Sequence, residues 1–428
     1  MVIVNKTRDR LISNKSPTTQ PGLKMSSLET VKAAASIIEH VQQGKGSIKN
    51  LCYGNKDKSI NKKMLYALVC ECCKSFFALK NAVLSVSSVD EENVIFWMIL
   101  LLEFVNGSFR YDLNDKTVQA FWKAKDKLKS EFEVMKKKFP PFKDANEKFK
   151  YMRINRLVDA DELPEHFEQV KSEKQLKENT FMFDKHVKDL LVLSPSCNIT
   201  NLPGYRNGAL VSQDKASCIP AFVLAPPPGA HVIDCCAAPG NKTTQLACMV
   251  GNEGRVFAIE RDQERFETLK QMVKKANADS IVECHNRDFL SLDPSLPKYA
   301  DVRYALVDPS CSGSGMPLSL ERYVSQSEEY DEARLEQLAK FQTMAIKQAM
   351  SFPKVQRVVY STCSVHEREN EMVVEEVLQS MPQWKLANKP LPVWPRRGLS
   401  KYKFADNLIR SDRTDHTIGF FVALFIRQ

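Results

Sequence analysis

Two short apolar runs, each closing on a cysteine among small polar residues, limit the folds open to this chain of 428 residues. The first is Ala305-Leu306-Val307, continued by Asp308-Pro309-Ser310-Cys311-Ser312-Gly313-Ser314-Gly315. The second is Val358-Val359-Tyr360-Ser361-Thr362-Cys363-Ser364. Runs of this length that empty into Pro, Ser and Gly read as strands buried on both faces, as in parallel sheets. Ligands of open α/β sheets collect just beyond the carboxyl ends of such strands. Two thiols, Cys311 and Cys363, and the Asp308 carboxylate are therefore expected to face one crevice.

The surrounding pattern agrees with a doubly wound α/β sheet. Strand-like runs at 231–234, 256–260, 281–284, 304–307 and 357–360 alternate with helical spacing at 242–250, 263–276, 335–351 and 369–381, and an apolar run at 419–426 predicts a closing antiparallel hairpin. Upstream, 208–217 leads into a helix that runs to about 224 and stops at Pro226-Pro227-Pro228-Gly229. Four segments, 28–43, 62–84, 91–106 and 117–138, carry helix-like spacing without strand alternation, and Phe139-Pro140-Pro141-Phe142 ends the last of them. Between these halves, strand-like 149–157, a helical 161–173 and a strand-like piece ending near Leu193 predict a small α+β module. Residues 1–25 are polar, with Pro17 and Pro21, and read as a disordered leader.

Asp234-Cys235-Cys236-Ala237-Ala238-Pro239-Gly240-Asn241-Lys242-Thr243 falls at the first strand-to-helix turn of the predicted sheet. Small residues there let backbone amides approach a ligand, and the helix N-terminus favours its anionic end. The absence of G-x-G-x-x-G disfavours a dinucleotide. Glu260 ends the second strand 20 residues beyond Gly240, the offset at which a carboxylate accepts hydrogen bonds from ribose hydroxyls. Two thiols and an acid suit methylation of cytosine at C5, a carbon too electron-poor to attack a methyl donor until a thiolate has added at C6. A free cysteine of pKa about 8.5 is only about 3% thiolate at pH 7, so charge must also be drawn from the ring. Asp308 is the candidate for that task. An amino-group methyltransferase is disfavoured, because D/N-P-P-Y is absent at Asp308.

These segments resemble motifs of the Nop/Sun (RsmB/NOP-type) family of RNA cytosine-C5 methyltransferases, which read roughly D-x-C-A-A-P-G-x-K-T, D-A-P-C-S-G-S-G and Y-S-T-C-S. Pro309-Ser310 in place of Ala-Pro, with Gly315-Met316 following, is similar to the subgroup acting on large-subunit ribosomal RNA. The resemblance implies a class I S-adenosylmethionine-dependent methyltransferase domain, Rossmann-like, at 208–428. It also implies an RNA-recognition-like α+β module at 146–207, whose opening keeps Arg153 and Asn155 of the family's segment, and a basic helical domain at 26–145. It makes Cys363 the nucleophile, gives Cys311 the removal of the C5 proton and release of the adduct, sets Asp308 at the base, and has Lys242 position either. For S-adenosylmethionine it implies Cys236, Ala237, Ala238, Pro239, Gly240, Asn241, Lys242, Glu260, Arg265, Asp288 and Asp308. Glu369-Asn370-Glu371 matches a family E-N-E of structural character. Trp394-Pro395-Arg396-Arg397-Gly398 is a candidate to flank RNA by stacking and phosphate contact, or a plain loop.

Charge points the same way. Residues 1–150 hold 26 Lys and Arg against 16 Asp and Glu, leaving 35 against 36 for the rest, so the basic excess lies in the N-terminal third. Lys123, Lys125, Lys127, Lys129, Lys136, Lys137 and Lys138 would bind phosphates or form a solvated helix face. Twelve cysteines and an opening Met1-Val2-Ile3-Val4-Asn5-Lys6 without a long apolar run predict free thiols in a reducing compartment. Cys70, Cys72 and Cys73 lack zinc-finger spacing, and the apolar run at 94–102 is too short to span a bilayer, so neither metal nor membrane is expected. The expected partners are large-subunit ribosomal RNA or pre-ribosomal particles, the location the nucleus and nucleolus, and the state a monomer. A transfer-RNA or messenger-RNA cytosine methyltransferase, and a noncatalytic ribosome-assembly factor retaining the fold, stay open.

Overall fold

Ser27, Ser47, Asn61 and Asp115 each turn a side-chain oxygen back onto the first free amides of a helix, which is how four of the N-terminal helices begin. In the computed structural model, which describes residues 27–86, 89–142, 148–159, 163–317, 319–325 and 332–428, these helices are α1 (Leu28–Gln42), α2 (Ile48–Gly54), α3 (Lys62–Lys74), α4 (Phe76–Leu84), α5 (Val94–Val105) and α6 (Lys116–Lys138). The leader expected at 1–25 lies outside the described residues. The helix expected over 62–84 is two, because the Ser75 amide closes onto the Cys72 and Cys73 carbonyls. α2, seven residues long, is too short to show a period in the sequence. α5 is apolar on nearly every side and forms the centre of the helical core, as such a helix must.

The chain forms two compact units, Met1–Asp144 with Leu318–Ser327, and Ala145–Pro317 with Glu328–Gln428. In the first, a short helix far along the chain, Leu320–Ser325, completes the helical core. Its Val324 is 2% exposed, the Tyr323 ring meets Phe77 edge-on at 4.9 Å, and Glu321 accepts the Ile48 N–H at 3.3 Å. Cys72 and Cys73 are buried in the same core. Among the described residues no group of His, Cys, Asp and Glu could hold a metal ion, and no helix is long and apolar enough to cross a membrane.

The second unit begins with a small sheet of order β2-β3-β4-β1-β5. Its strands are β1 (Lys150–Ile154), β2 (Glu168–Gln169), β3 (Thr180–Phe183), β4 (Leu190–Leu193) and, after helix α7 (Pro203–Asn207), β5 (Leu210–Ser212). β1 lies between β4 and β5 and is antiparallel to both. The helix expected at 161–173 is not formed by its described residues. Pro164 disfavours helix at its predecessor, and Leu163 and Phe167, whose spacing imitated a helix face, instead pack on the small sheet beside β2.

Helix α8 (Lys215–Leu224), capped by Asp214, then leads into the large sheet. There β6 (His231–Asp234), α9 (Asn241–Val250), β7 (Arg255–Glu260), α10 (Gln263–Lys275), β8 (Val282–Asn286) and β9 (Val302–Val307) precede the Leu320–Ser325 helix, which is α11. After it come α12 (Glu332–Met350), β10 (Arg357–Thr362), α13 (Glu371–Ser380), β11 (Trp384–Leu386), β12 (Leu408–Ser411) and β13 (Phe420–Arg427). The strand order is β11-β13-β10-β9-β6-β7-β8, with β12 also paired to β13. β10, β9, β6, β7 and β8 are parallel, while β13 runs antiparallel to β10, β11 and β12. Successive residues of the parallel strands bury to opposite faces: Val232, Ala258, Leu306 and Val359 go to one cluster, Ile233, Phe257, Val307 and Tyr360 to the other. The strand order reverses at β6, which opens the crevice between the ends of β6 and β9.

Candidate active site

Because β9 and β10 are adjacent and parallel with Val307 opposite Tyr360, the residues that follow, Asp308 and Ser361, come opposite each other as well. Ser361 Oγ donates to Asp308 Oδ1 at 2.6 Å. Lys242, in the first turn of α9 after neighbouring β6, donates from Nζ to Asp308 Oδ2 at 2.7 Å. Burial alone would lower the Lys242 pKa, but the Asp308 carboxylate outweighs it and holds the ammonium above its ordinary value. Its Nζ also lies 5.4 Å from the centre of the Phe420 ring.

The two loops carry their cysteines into contact, Cys311 Sγ to Cys363 Sγ at 3.3 Å. A proton shared so closely cannot leave both sulfurs ionised. The hydrogen bond from the Cys311 sulfhydryl holds Cys363 below the usual thiol value, with the Lys242 ammonium assisting, against burial and the Asp308 charge. That hydrogen bond, with burial, pushes Cys311 up. Of the two sulfurs, Cys363 is the one whose ionised form is favoured and Cys311 the one that holds its proton more tightly. This is the polarity that a nucleophile at Cys363 requires.

Glu369, Asn370 and Glu371 brace these loops. Glu369 Oε1 accepts from the Ser312 N–H and from Gln342 Nε2, each at 2.9 Å. Asn370 takes the Thr362 hydroxyl at 2.6 Å and donates to the Ser364 carbonyl at 2.9 Å, on either side of Cys363. Glu371 is buried and pairs with Arg410 through two hydrogen bonds, 2.7 and 2.5 Å.

On the donor side, Arg265 donates to the Ala238 carbonyl at 2.8 Å and lies 3.7 Å from Glu260, tying the β6 loop to the end of β7. Glu260 is 5% exposed and accepts the Asp262 N–H at 2.9 Å. Asp288 caps the turn after β8 by accepting the Leu290 N–H at 2.9 Å. Gly240 has φ of +113°, and a Cβ on it would stand 3.1 Å from Leu269 and Met272 of α10, so only glycine lets the loop enter α9 here. Cys236 lies in the loop, and burial pushes its thiol well up, a packing residue rather than a reactive one.

Two buried acceptors at this loop, Asp234 Oδ1 and Asn241 Oδ1, have no protein partner. Leaving such atoms unpaired costs roughly 1–3 kcal/mol each. A donor carrying an ammonium and hydroxyl groups fits them, as the ammonium and ribose of S-adenosylmethionine do. Asp234 was not among the site residues expected from the sequence, where it read as the last residue of a strand. Arg153 is likewise more than the start of a small module: it is buried, donating to Thr244 Oγ1 at 2.9 Å, the Asn241 carbonyl at 3.3 Å and Gln213 at 2.8 Å, and so it braces the donor helix.

In the segment offered as an RNA flank or a plain loop, the polar groups have partners within the chain. Trp394 is 2% exposed and donates to the Arg410 carbonyl, Arg396 pairs with Asp412 and Asp415, and Arg397 donates to the Pro390 and Leu391 carbonyls.

Residues 221–426 match the family model described as 16S rRNA methyltransferase RsmB/F. The chain is 36% identical to the 28S rRNA (cytosine-C(5))-methyltransferase of Mus musculus, over 92% of this chain and 90% of that protein. It is 36% identical to the 25S rRNA (cytosine-C(5))-methyltransferase rcm1 of Schizosaccharomyces pombe, over 91% and 89%. Among solved structures it is similar to a methyltransferase homolog protein from Pyrococcus horikoshii, with a TM-score of 0.51 and 19% identity over 77% of this chain and 99% of that one. The shared fold is that of class I S-adenosylmethionine-dependent methyltransferases.

Proposed function

Since the chain belongs to the RsmB/F family of ribosomal-RNA methyltransferases, with relatives that are large-subunit (cytosine-C5) enzymes, we propose that it methylates C5 of a cytosine in large-subunit ribosomal RNA through a covalent Cys363 adduct. The observation that carries the mechanism is the 3.3 Å approach of Cys311 and Cys363 beside the Lys242–Asp308 pair.

In this reading the base is unstacked so that its face can meet the thiolate. Cys363 adds to C6, the electron pair of the C5–C6 double bond becomes available at C5, and N3 takes a proton that the Lys242 ammonium passes on through Asp308. Asp308, held by Lys242 and Ser361, meets the N3 and exocyclic-amine edge, where the proton it relays neutralises the charge gathering in the ring. S-adenosylmethionine supplies the electrophilic methyl group. Once Cys363 sulfur is bonded to carbon its charge is gone, and with it the main reason for Cys311 to keep its proton. Cys311 then passes that proton to the Lys242 amine left neutral by the first step and takes the one from C5, N3 releases its own to solvent, and Cys363 leaves as thiolate. The donor is held by the β6–α9 loop from Cys236 to Asn241, with Glu260 at the ribose and Asp288 at the adenine. Pre-ribosomal particles in the nucleolus are the proposed setting, and a metal-free monomer the working form.

The test is a denaturing gel of each cysteine variant made in cells that contain its RNA. Cys311→Ala should accumulate a slow band that ribonuclease collapses, because it adds and methylates but cannot release. Cys363→Ala should give neither band nor product. The reverse pattern exchanges the roles, and tritiated-methyl transfer by both variants at the wild-type rate removes cysteine chemistry from the mechanism.

A further inference from the structure

The two thiol-bearing loops are pinned by a backbone contact between Gly315, the last residue of the first cysteine motif, and Gly419, which no motif marks. Gly315 donates its N–H to the Cys363 carbonyl at 2.8 Å, and the Gly315 carbonyl accepts the Gly419 N–H at 2.8 Å. The loop after β9 is thereby caught between the loop after β10 and the entry to β13. A Cβ on Gly315 would stand 2.1 Å from the Gly419 oxygen and 2.9 Å from the Cys363 oxygen. A Cβ on Gly419 would stand 2.7 Å from the Gly315 Cα and 3.0 Å from Val365 Cγ1. Backbone atoms cannot swing aside as a side-chain tip can. Neither glycine has positive φ, so close approach and not turn geometry demands them. Ser314 Oγ adds a second tie by accepting the Val365 N–H at 3.0 Å.

We propose that Gly419 is a positioning residue for methyl transfer, the stop against which Gly315 sets Cys311 within hydrogen-bonding reach of Cys363. The inference rests on the two-cysteine reading above and adds to it a residue more than fifty positions from either thiol. An alanine at 419 pushes the Cys311 loop away, and Cys363 loses the sulfhydryl that favours its ionised form. The other charged groups facing it remain, Asp308 against ionisation and Lys242 for it. A displacement of about 1 Å in such a site costs about 100-fold in rate.

The experiment compares wild type, Gly419→Ala and Gly254→Ala. The last is equally crowded, its Cβ falling 2.5 Å from Val250 Cβ and 2.9 Å from the Ala230 oxygen, but it stands away from the thiols. Alkylation of Cys363 by iodoacetamide, read by mass spectrometry across pH, is measured with the transfer rate, S-adenosylmethionine affinity and Tm. Gly419→Ala should move the acid limb of alkylation up toward the free-thiol value of about 8.5, lose about 100-fold in rate and keep donor affinity. Gly254→Ala should lose Tm alone. A Gly419→Ala limb and rate that move no more than those of Gly254→Ala overturn the proposal. If Gly419→Ala does not fold, Ser314→Ala must shift the limb in the same direction, and an unmoved limb there overturns it too. Failure of the underlying reading is seen separately, as absence of an RNA adduct from Cys311→Ala.

Discussion

Donor binding should expel a proton from Asp234. Its Oδ2 accepts from Thr243 at 2.7 Å while Oδ1 is buried without a partner. Burial pushes the carboxyl up to about 7, with the Thr243 hydrogen bond opposing and the Asp308 charge adding to the rise. At pH 7 about half the molecules then carry the proton, at pH 6 about nine-tenths and at pH 8 about one-tenth. An ammonium beside Oδ1 favours the carboxylate, so S-adenosylmethionine should release about half a proton per site at pH 7 and about 0.9 at pH 6. The sign for folding is the reverse of a salt-bridged aspartate. With a folded value above the unfolded 3.9, Asp234 costs nothing below about pH 4, and its destabilising effect grows until about pH 7. Calorimetric titration in phosphate and in Tris at pH 6 and 7 measures the release, because the observed enthalpy differs between buffers in proportion to protons exchanged. Asp234→Asn retains an oxygen for Thr243, and its buffer dependence, subtracted, leaves the Asp234 proton alone. Equal buffer dependence in wild type and Asp234→Asn would refute the argument.

The Lys242–Asp308 pair should act on Cys363 with opposite signs. Lys242→Met should raise the pH at which Cys363 is alkylated, whereas Asp308→Asn should lower it while still abolishing methyl transfer, and shifts in the same direction would exclude the electrostatic account. Glu260→Gln should weaken S-adenosylmethionine binding by about 2–4 kcal/mol and also lower Tm, since the carboxylate is buried against Asp262 and Arg265 rather than facing solvent. Calorimetry showing unchanged affinity sinks the ribose assignment. Replacing Lys123, Lys127 and Lys137 by Gln should flatten the salt dependence of RNA affinity by about 0.7 to 0.9 in log–log slope for each phosphate no longer neutralised. An unchanged slope makes that helix a solvated face.

The inner parallel strands were legible because each carries a continuous apolar run with both faces buried, which the edge strand β8 does not, and because Cys311, Cys363, Asp308 and the β6 loop all follow such runs directly. What failed to show depended on partners distant in sequence. Leu163 and Phe167 have helical spacing but pack against a sheet assembled from four other segments. Arg396 looked available until Asp412 and Asp415 were brought to it across the turn into β13. Asp234 kept its significance hidden because an unpaired oxygen is a property of the packed site and has no pattern in the chain.

The helix Leu320–Ser325 has a consequence for how the chain is made. Its Val324 and Tyr323 complete the core of a unit whose other helices end at Lys138, yet it leaves the ribosome long after them. Translation at about 5–20 residues per second puts roughly 10–35 s between the emergence of the two parts. For that interval the N-terminal helices wait with an apolar notch unfilled, a surface that chaperones recognise. A chain ending before residue 320 would lack the segment that carries Tyr323 and Val324 and leave that part of the helical core unfilled.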